Sequence, residues 1–336
     1  MRITPAALLK IAQDTVTQRT RADRDLLAIY LHGSLLAGDP LLGGAADIDL
    51  FFIHNDEIAE SREIVRITDL VHLDIAHHAR SLYRQARDLR LHPWLGPSIY
   101  NCKILYDPQH FMDFTQASVR GQFNQPDNIL SRARSQSEHA RQIWLSFQLR
   151  HTEPGVESCA QYLKAVEHAA NAIASLSGPQ LTERRFLLTF PEKAAAVDHR
   201  GLYNGLLGLL GGATVDANIL RSWIPDWQSS FAAVSQSKAT ARFDPCRLGY
   251  YLHAFEHILA GELPQDVLWP LFHSWTRLVV HLPQGTGEQA AWEEAGKALG
   301  LLGPAFFDRL VALDAYLDTI EELLDQWAQK NGLALT

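Results

Sequence analysis

The sequence predicts an α+β protein, with a small mixed-sheet domain over residues 1–120 and an all-α domain over residues 121–336. Short apolar or alternating segments, typical of strands, are confined to the first 110 residues. After about residue 125, apolar residues instead recur every three or four positions, which is typical of helices. The change of period between these two stretches indicates the domain boundary.

In the N-terminal part, residues 4–20 have the apolar spacing of an amphipathic helix. LLAIYLH (26–32) predicts a buried strand that enters a tight turn at Gly33-Ser34. We expect residues 55–70 to form a helix or connector and residues 79–93 to be helical. Three further segments predict strands: ADIDLFFIH (46–54), VHLDIAHH (71–78) and SIYNCKILYDP (98–108).

The C-terminal part shows helical periodicity in six long segments and no internal repeat. These segments are 131–150, 158–176, 246–262, 267–282, 287–300 and 306–330.

Net charge, cysteine spacing and the apolar stretches limit the kinds of partner and the cell compartment that we expect for the protein. The formal net charge of −8 makes a nucleic-acid partner less likely than a small molecule, since proteins that bind a phosphate backbone usually carry net positive charge. The three cysteines are far apart and form no C-x-x-C pair, which fits a reducing compartment. The sequence shows no signal peptide and no uninterrupted apolar stretch that spans a bilayer. We expect a cytoplasmic protein without a membrane partner; the oligomeric state is not predicted.

Two carboxylates stand two positions apart in the predicted strand 46–54. Residues i and i+2 of a strand point to the same face, so Asp47 and Asp49 project together. Two ionised carboxylates at that spacing repel each other, and a divalent cation between them reverses the sign of this cost. Their hard oxygen ligands favour Mg²⁺ or Mn²⁺.

In the predicted strand 71–78, the apolar residues Val71, Leu73 and Ile75 share one face, so Asp74 lies on the opposite face. If this strand lies beside strand 46–54, Asp74 joins Asp47 and Asp49, and three such carboxylates can hold two metal ions for phosphoryl or nucleotidyl transfer. Gly33 allows the backbone to approach a phosphate closely. Ser34 offers a hydroxyl and begins a helical turn with free N–H groups.

This combination resembles the nucleotidyltransferase superfamily that includes DNA polymerase beta and the aminoglycoside nucleotidyltransferases. Gly33, Ser34, Asp47, Asp49 and Asp74 carry the likeness, which covers roughly residues 25–110. The resemblance implies that Mg²⁺ (or Mn²⁺) is bound by Asp47 and Asp49, with Asp74 on the catalytic metal. It also implies attack of an acceptor hydroxyl on the α-phosphate of a nucleoside triphosphate, with ATP as the expected donor. The C-terminal half is similar only in general architecture to the helical domain of the antibiotic-modifying members.

A cation from the helical half is expected to contact the triphosphate. The candidates are Lys164, on a helix poor in basic residues, and Arg184 with its neighbour Arg185. A solvated lysine and surface arginines are the alternative interpretation of these residues. The arginines at 80, 84, 87 and 90 are interpreted as a solvated helix face, with an entry for an anionic substrate as the alternative.

Two other functions stay open. His253, Glu256 and His257 match the H-x-x-E-H pattern of one class of zinc hydrolase, although that motif needs a third ligand such as Glu321 or Glu322. The other is a non-catalytic nucleotide-binding or toxin–antitoxin module on the same fold. No Rossmann G-x-G-x-x-G and no P-loop lysine motif is present, which argues against a dehydrogenase or a P-loop kinase.

Overall fold

The computed structural model describes residues 3–56, 58, 61–149, 153–237 and 240–334. It confirms the predicted α+β class, since five strands form one small mixed sheet in the N-terminal part and helices follow. Contacts along the chain divide it into two units. The first is Met1–Gln125 with Thr240–Ala254, and the second is Pro126–Ala239 with Phe255–Thr336. The predicted division at residue 120 remains a prediction.

The sheet of the first unit has the strand order β3-β4-β2-β1-β5. Strands β2 and β4 pair in parallel, and the other neighbours pair antiparallel. The strands are β1 (Leu26–His32), β2 (Ala46–His54), β3 (Arg62–Arg66), β4 (Val71–Ala79) and β5 (Lys103–Tyr106).

One face of this sheet packs on the N-terminal helix α1 (Pro5–Ala22). Its Thr4 hydroxyl caps the helix by accepting from the Ala7 N–H at 3.2 Å. Leu8, Ala12 and Val16 of α1 share a core with alternate residues of β2. The β2 residues on this face are Ile48, Leu50 and Phe52. Period-2 alternation therefore turns Asp47 and Asp49 to the other face.

Three short helices complete the N-terminal part of the first unit. They are α2 (Ala86–Leu91), α3 (Leu95–Tyr100) and α4 (Phe111–Arg120). Met112 and Val119 of α4 bury against Tyr30 and Ile53 on the second face of the sheet.

The remaining helices follow in chain order. They are α5 (Pro126–Leu149), α6 (Val156–Ser177), α7 (Phe186–Ala196), α8 (Gly201–Leu209), α9 (Ala217–Ser222), α10 (Ile224–Ser237), α11 (Leu248–Leu259), α12 (Ser274–Val279), α13 (Gly287–Ala298) and α14 (Ala305–Lys330). A π-helical turn, Trp269–His273, precedes α12. Helix α11 begins in the first unit and ends in the second. Among the described residues, no helix is both long enough and apolar enough to cross a bilayer.

Two local expectations were wrong in part. Residues 55–70 contain strand β3, which pairs antiparallel with β4 at the sheet edge, where Ile64 and Val65 suit a pleated surface. Residues 98–100 lie in helix α3, so the strand expected over 98–108 is limited to Lys103–Tyr106.

Candidate functional site

The register of β2 on β4 brings the three predicted carboxylates together. Asp49 is directly paired with Asp74, and Asp47 with His72. One side-chain oxygen from each of Asp47, Asp49 and Asp74 lies within 4.8 Å of the other two. We call these three residues the acidic cluster. Within the described ranges it is the one place where three potential metal-ligand side chains of His, Cys, Asp or Glu meet this closely.

The electrostatics of the acidic cluster are unfavourable for three negative charges. Asp47 and Asp74 are buried, and Asp49 is half-buried. Burial raises the pKa of the Asp49 carboxyl well above its usual range, and the charges of Asp47 and Asp74 raise it further. Arg62 and Arg247 oppose this shift without cancelling it. A cation between the carboxylates would relieve this repulsion.

Two arginines face Asp74. Arg62 of β3 donates from Nε to Oδ1 at 2.6 Å and from Nη2 to Oδ2 at 2.5 Å, a bidentate pair. Arg247 places Nη1 3.4 Å from the same Oδ2. The Arg62 side chain is 39% exposed and the Arg247 side chain 5% exposed, so Arg62 can exchange its partner more easily.

The Gly-Ser turn lies directly beside the acidic cluster. Gly33 has φ +86°, and a Cβ at this position would stand 1.9 Å from Asp49 Oδ2. Position 33 therefore requires glycine for two reasons: the positive φ of the backbone and the close approach of the Asp49 side chain. The Ser34 Oγ is buried and has no hydrogen-bond partner among the described atoms. Burial lowers the pKa of the preceding His32 to about 4, so this imidazole is neutral at pH 7.

Sequence reasoning missed three residues at this site: Arg62, Arg247 and Tyr250. The Tyr250 hydroxyl donates to Asp47 Oδ2 at 2.5 Å. The adjacent β-branched residues Ile64 and Val65 were the one available signal for a strand in REIVR. In the pairing with β4, Arg62 and Ile64 share a strand face with Asp74. No local pattern indicates Arg247 or Tyr250.

The cation candidates Lys164 and Arg184 belong to the second unit. Lys164 is exposed on α6, as a solvated lysine would be. Arg184 is buried in the short 3₁₀ turn Glu183–Arg185, so it is not a surface arginine. Their assignment to the triphosphate stays a prediction.

The zinc-motif residues lie on α11, all three of them exposed. Glu256 is 3.6 Å from Arg221, and Glu321 accepts from Arg141 Nε at 2.8 Å. In the described part of the chain, no third histidine, cysteine or carboxylate converges with these residues in the way the acidic cluster does. The geometry therefore gives the zinc hydrolase no support.

Comparison with known proteins gives little further information. No family model and no curated protein matches the chain. Among solved structures, it is similar to a nucleotidyltransferase-like protein from Exiguobacterium sibiricum 255-15, at 11% identity and a TM-score of 0.30. The match covers 95% of this chain and 78% of the other. A likeness this weak carries no argument, so the functional conclusion depends on the site itself.

Proposed function

We propose that the protein is a metal-dependent nucleotidyltransferase that transfers a nucleoside monophosphate to a hydroxyl of a small molecule. The donor is a nucleoside triphosphate, with ATP as the expected one. The observation that carries this proposal is the convergence of Asp47, Asp49 and Asp74 beside the Gly33-Ser34 turn. The three carboxylates supply ligands for a divalent cation. The Gly33-Ser34 turn allows the backbone to approach a phosphate closely and offers it a hydroxyl.

The residues present fit such a cation. The donor set consists of carboxylate oxygens, which Mg²⁺ and Mn²⁺ prefer. The pKa of Asp49 is raised first by burial and then by the charges of Asp47 and Asp74, and a bound cation would oppose both effects. Asp74 joins the set when Arg62 releases one of its two oxygens.

In this proposal each part of the site has one task. Bound Mg²⁺ supplies positive charge to the triphosphate and lowers the pKa of the attacking hydroxyl. Asp47 and Asp49 hold it, the backbone at Gly33 approaches the phosphates, and the unpaired Ser34 Oγ donates to a phosphate oxygen. Arg62, once released, offers its guanidinium to the triphosphate. Lys164 and Arg184 remain proposed contacts of the triphosphate.

The bond changes define the reaction class. The acceptor oxygen forms a bond to the α-phosphorus, and the bond from this phosphorus to the bridging oxygen breaks. Pyrophosphate leaves with that electron pair, and the hydroxyl proton passes to solvent. A label on the α-phosphate therefore moves to the acceptor, and a label on the γ-phosphate leaves with pyrophosphate.

The experiment uses the four triphosphates labelled at the α- or the γ-phosphate, with Mg²⁺ and a library of small-molecule hydroxyl compounds. We expect transfer of the α-label alone, loss of transfer with EDTA, and recovery on adding Mg²⁺ or Mn²⁺. The isosteric variant Asp49→Asn is the control for contaminating enzymes. Equal transfer by wild type and Asp49→Asn would reject the site. Triphosphate binding by calorimetry without pyrophosphate release would favour the non-catalytic nucleotide-binding module.

A further inference from the structure

A segment far along the chain closes the acidic cluster from one side. Residues Thr240–Ala254 belong to the first unit, although the chain enters the second unit at Pro126. The segment packs closely there, since a Cβ at Gly43 would lie 2.0 Å from the His253 carbonyl oxygen. A Cβ at Gly249 would likewise lie 3.0 Å from the carbonyl oxygen of Asp69. The first turn of α11 is therefore built against the sheet domain.

Tyr250 is the residue of this turn that reaches a carboxylate. Its side chain is buried, and its hydroxyl donates to Asp47 Oδ2 at 2.5 Å. The ring also packs edge-on against His72, with ring centroids 4.9 Å apart and planes at 81°. His72 is the residue paired with Asp47 across β2 and β4, so Tyr250 contacts both members of this pair.

Arg247, one turn earlier, explains why Tyr250 stays in place. The Arg247 guanidinium is buried, with Nη1 3.4 Å from Asp74 Oδ2. Its central carbon lies 5.0 Å from the ring centroid of Tyr250 and 5.8 Å from that of Tyr251. These contacts partly replace the hydration that the buried cation has lost, and they place its guanidinium against the ring of Tyr250.

We propose that Tyr250 is a positioning residue for the acidic cluster, a role that rests on the proposed function. Its hydroxyl fixes the rotation of the Asp47 carboxylate, so that Asp47 meets a divalent cation without first losing rotational freedom. Groups that orient metal ligands in this way raise metal affinity although they never touch the metal. The acidic cluster of the N-terminal sheet thus depends on a residue 203 positions later in the chain.

The test measures binding of Mn²⁺ alone to the full-length protein by electron paramagnetic resonance. Tyr250→Phe removes only the hydroxyl, and we expect its dissociation constant for Mn²⁺ to rise about five- to tenfold with unchanged stoichiometry. The matched control is Tyr30→Phe, which removes a buried hydroxyl bonded to Tyr83 at 3.0 Å on the same sheet. Tyr30→Phe should bind Mn²⁺ as the wild type does, with a similar fall in Tm.

Turnover provides the second readout. Under conditions where the wild type transfers nucleotide, Tyr250→Phe should need about five- to tenfold more Mg²⁺ for half-maximal kcat, while the KM for the acceptor is unchanged. If the wild type binds Mn²⁺ and Tyr250→Phe binds it with the same affinity, the positioning role is overturned and the proposed function is not. Failure of the wild type to bind Mn²⁺ would overturn the proposed function together with this role. An equal loss of Mn²⁺ affinity in Tyr30→Phe would also overturn the positioning role, because it would show a general effect on the fold.

Discussion

The acidic cluster differs sharply from the tryptophan cluster of the second unit, which we define as Trp227, Trp275 and Trp292. Both are buried sets of polar groups, but the tryptophan cluster is neutral and each indole N–H has a hydroxyl acceptor. Trp227 donates to Ser274 at 2.9 Å, Trp275 to Ser230 at 2.9 Å, and Trp292 to Thr276 at 3.0 Å. Folding alone explains such an arrangement, because every donor is satisfied.

The acidic cluster is not explained by folding in the same way. Three carboxylates converge there, and the pKa of Asp49 is raised by burial and by the two neighbouring charges. Arg62 and Arg247 offset only part of this cost. A region that costs stability in the free protein and offers metal ligands is better suited to binding than to folding. Substitutions in the two clusters should therefore have opposite effects on activity and stability.

The largest effect is expected from Asp49→Asn. Nucleotide transfer should fall roughly a thousandfold or more, since a proposed ligand of the cation is lost. The metal-free variant should be more stable than the wild type at pH 8, as measured by Tm. The folded wild type binds more protons than the unfolded chain because the Asp49 pKa is raised, so its stability falls as pH rises. The gain in Tm should shrink at about pH 4, and a gain that is independent of pH would contradict this account.

The next effect is expected at Gly33, and Gly38 provides a matched control. Both residues have positive φ, +86° and +88°, but nothing lies within 4 Å of a Cβ at Gly38. Gly38→Ala should cost about 1 kcal/mol from backbone strain alone and leave Mn²⁺ binding unchanged. Gly33→Ala should cost more and abolish Mn²⁺ binding, because the new methyl group displaces Asp49. Equal effects of the two variants in denaturant unfolding and metal titration would disprove the close approach.

Ser274→Ala tests the opposite side of the comparison. It removes the acceptor of the Trp227 indole and should lower the free energy of unfolding by about 1–3 kcal/mol. Mn²⁺ affinity and kcat should equal the wild-type values at temperatures where the variant is folded. A loss of Mn²⁺ affinity there would show that the two clusters are not functionally distinct.

The smallest effect concerns acid stability in the second unit. Burial lowers the pKa of His168 to about 4, and the charges of His139 and Lys164 lower it further. The unfolded chain takes up this proton near pH 6.5, so the free energy of unfolding falls between about pH 6.5 and 4. His168→Gln should flatten this fall by about 1 kcal/mol, because the side chain is half-buried. The pKa values of His32 and His78 are also about 4, so these residues should still make the free energy of unfolding fall with pH in the variant. Urea unfolding at several pH values measures it, and an unchanged slope would be inconsistent with a buried neutral His168.

The sequence predicts the acidic cluster well because its geometry is local. Alternation in ADIDLFFIH places Asp47 and Asp49 on one face, and the structure packs Ile48, Leu50 and Phe52 on the other. The prediction for Asp74 depended on the further assumption that its strand lies beside β2. The parallel pairing of β2 with β4 confirms this assumption. The helical segments were recognisable for the same reason, since their period is repeated over many residues.

What the sequence could not predict depends on long-range pairing. Strand β3 has five residues, too few for a clear period, so the position of Arg62 was hidden in a segment expected to be a helix or connector. Arg247 and Tyr250 lie in a stretch of helical pattern, and nothing in that pattern shows that its first turn belongs with the sheet. Such contacts are set by tertiary packing, on which neither propensity nor local spacing carries information.

The most direct test is a crystal of the wild-type protein grown with Mn²⁺ and a non-hydrolysable nucleoside triphosphate, examined by anomalous scattering. We expect an anomalous peak about 2 Å from oxygens of Asp47 and Asp49. Asp74 should be released from one bond to Arg62, and the phosphates should lie beside Gly33 and Ser34. A bound triphosphate with no metal peak among the carboxylates, and Arg62 still bidentate on Asp74, would contradict this account.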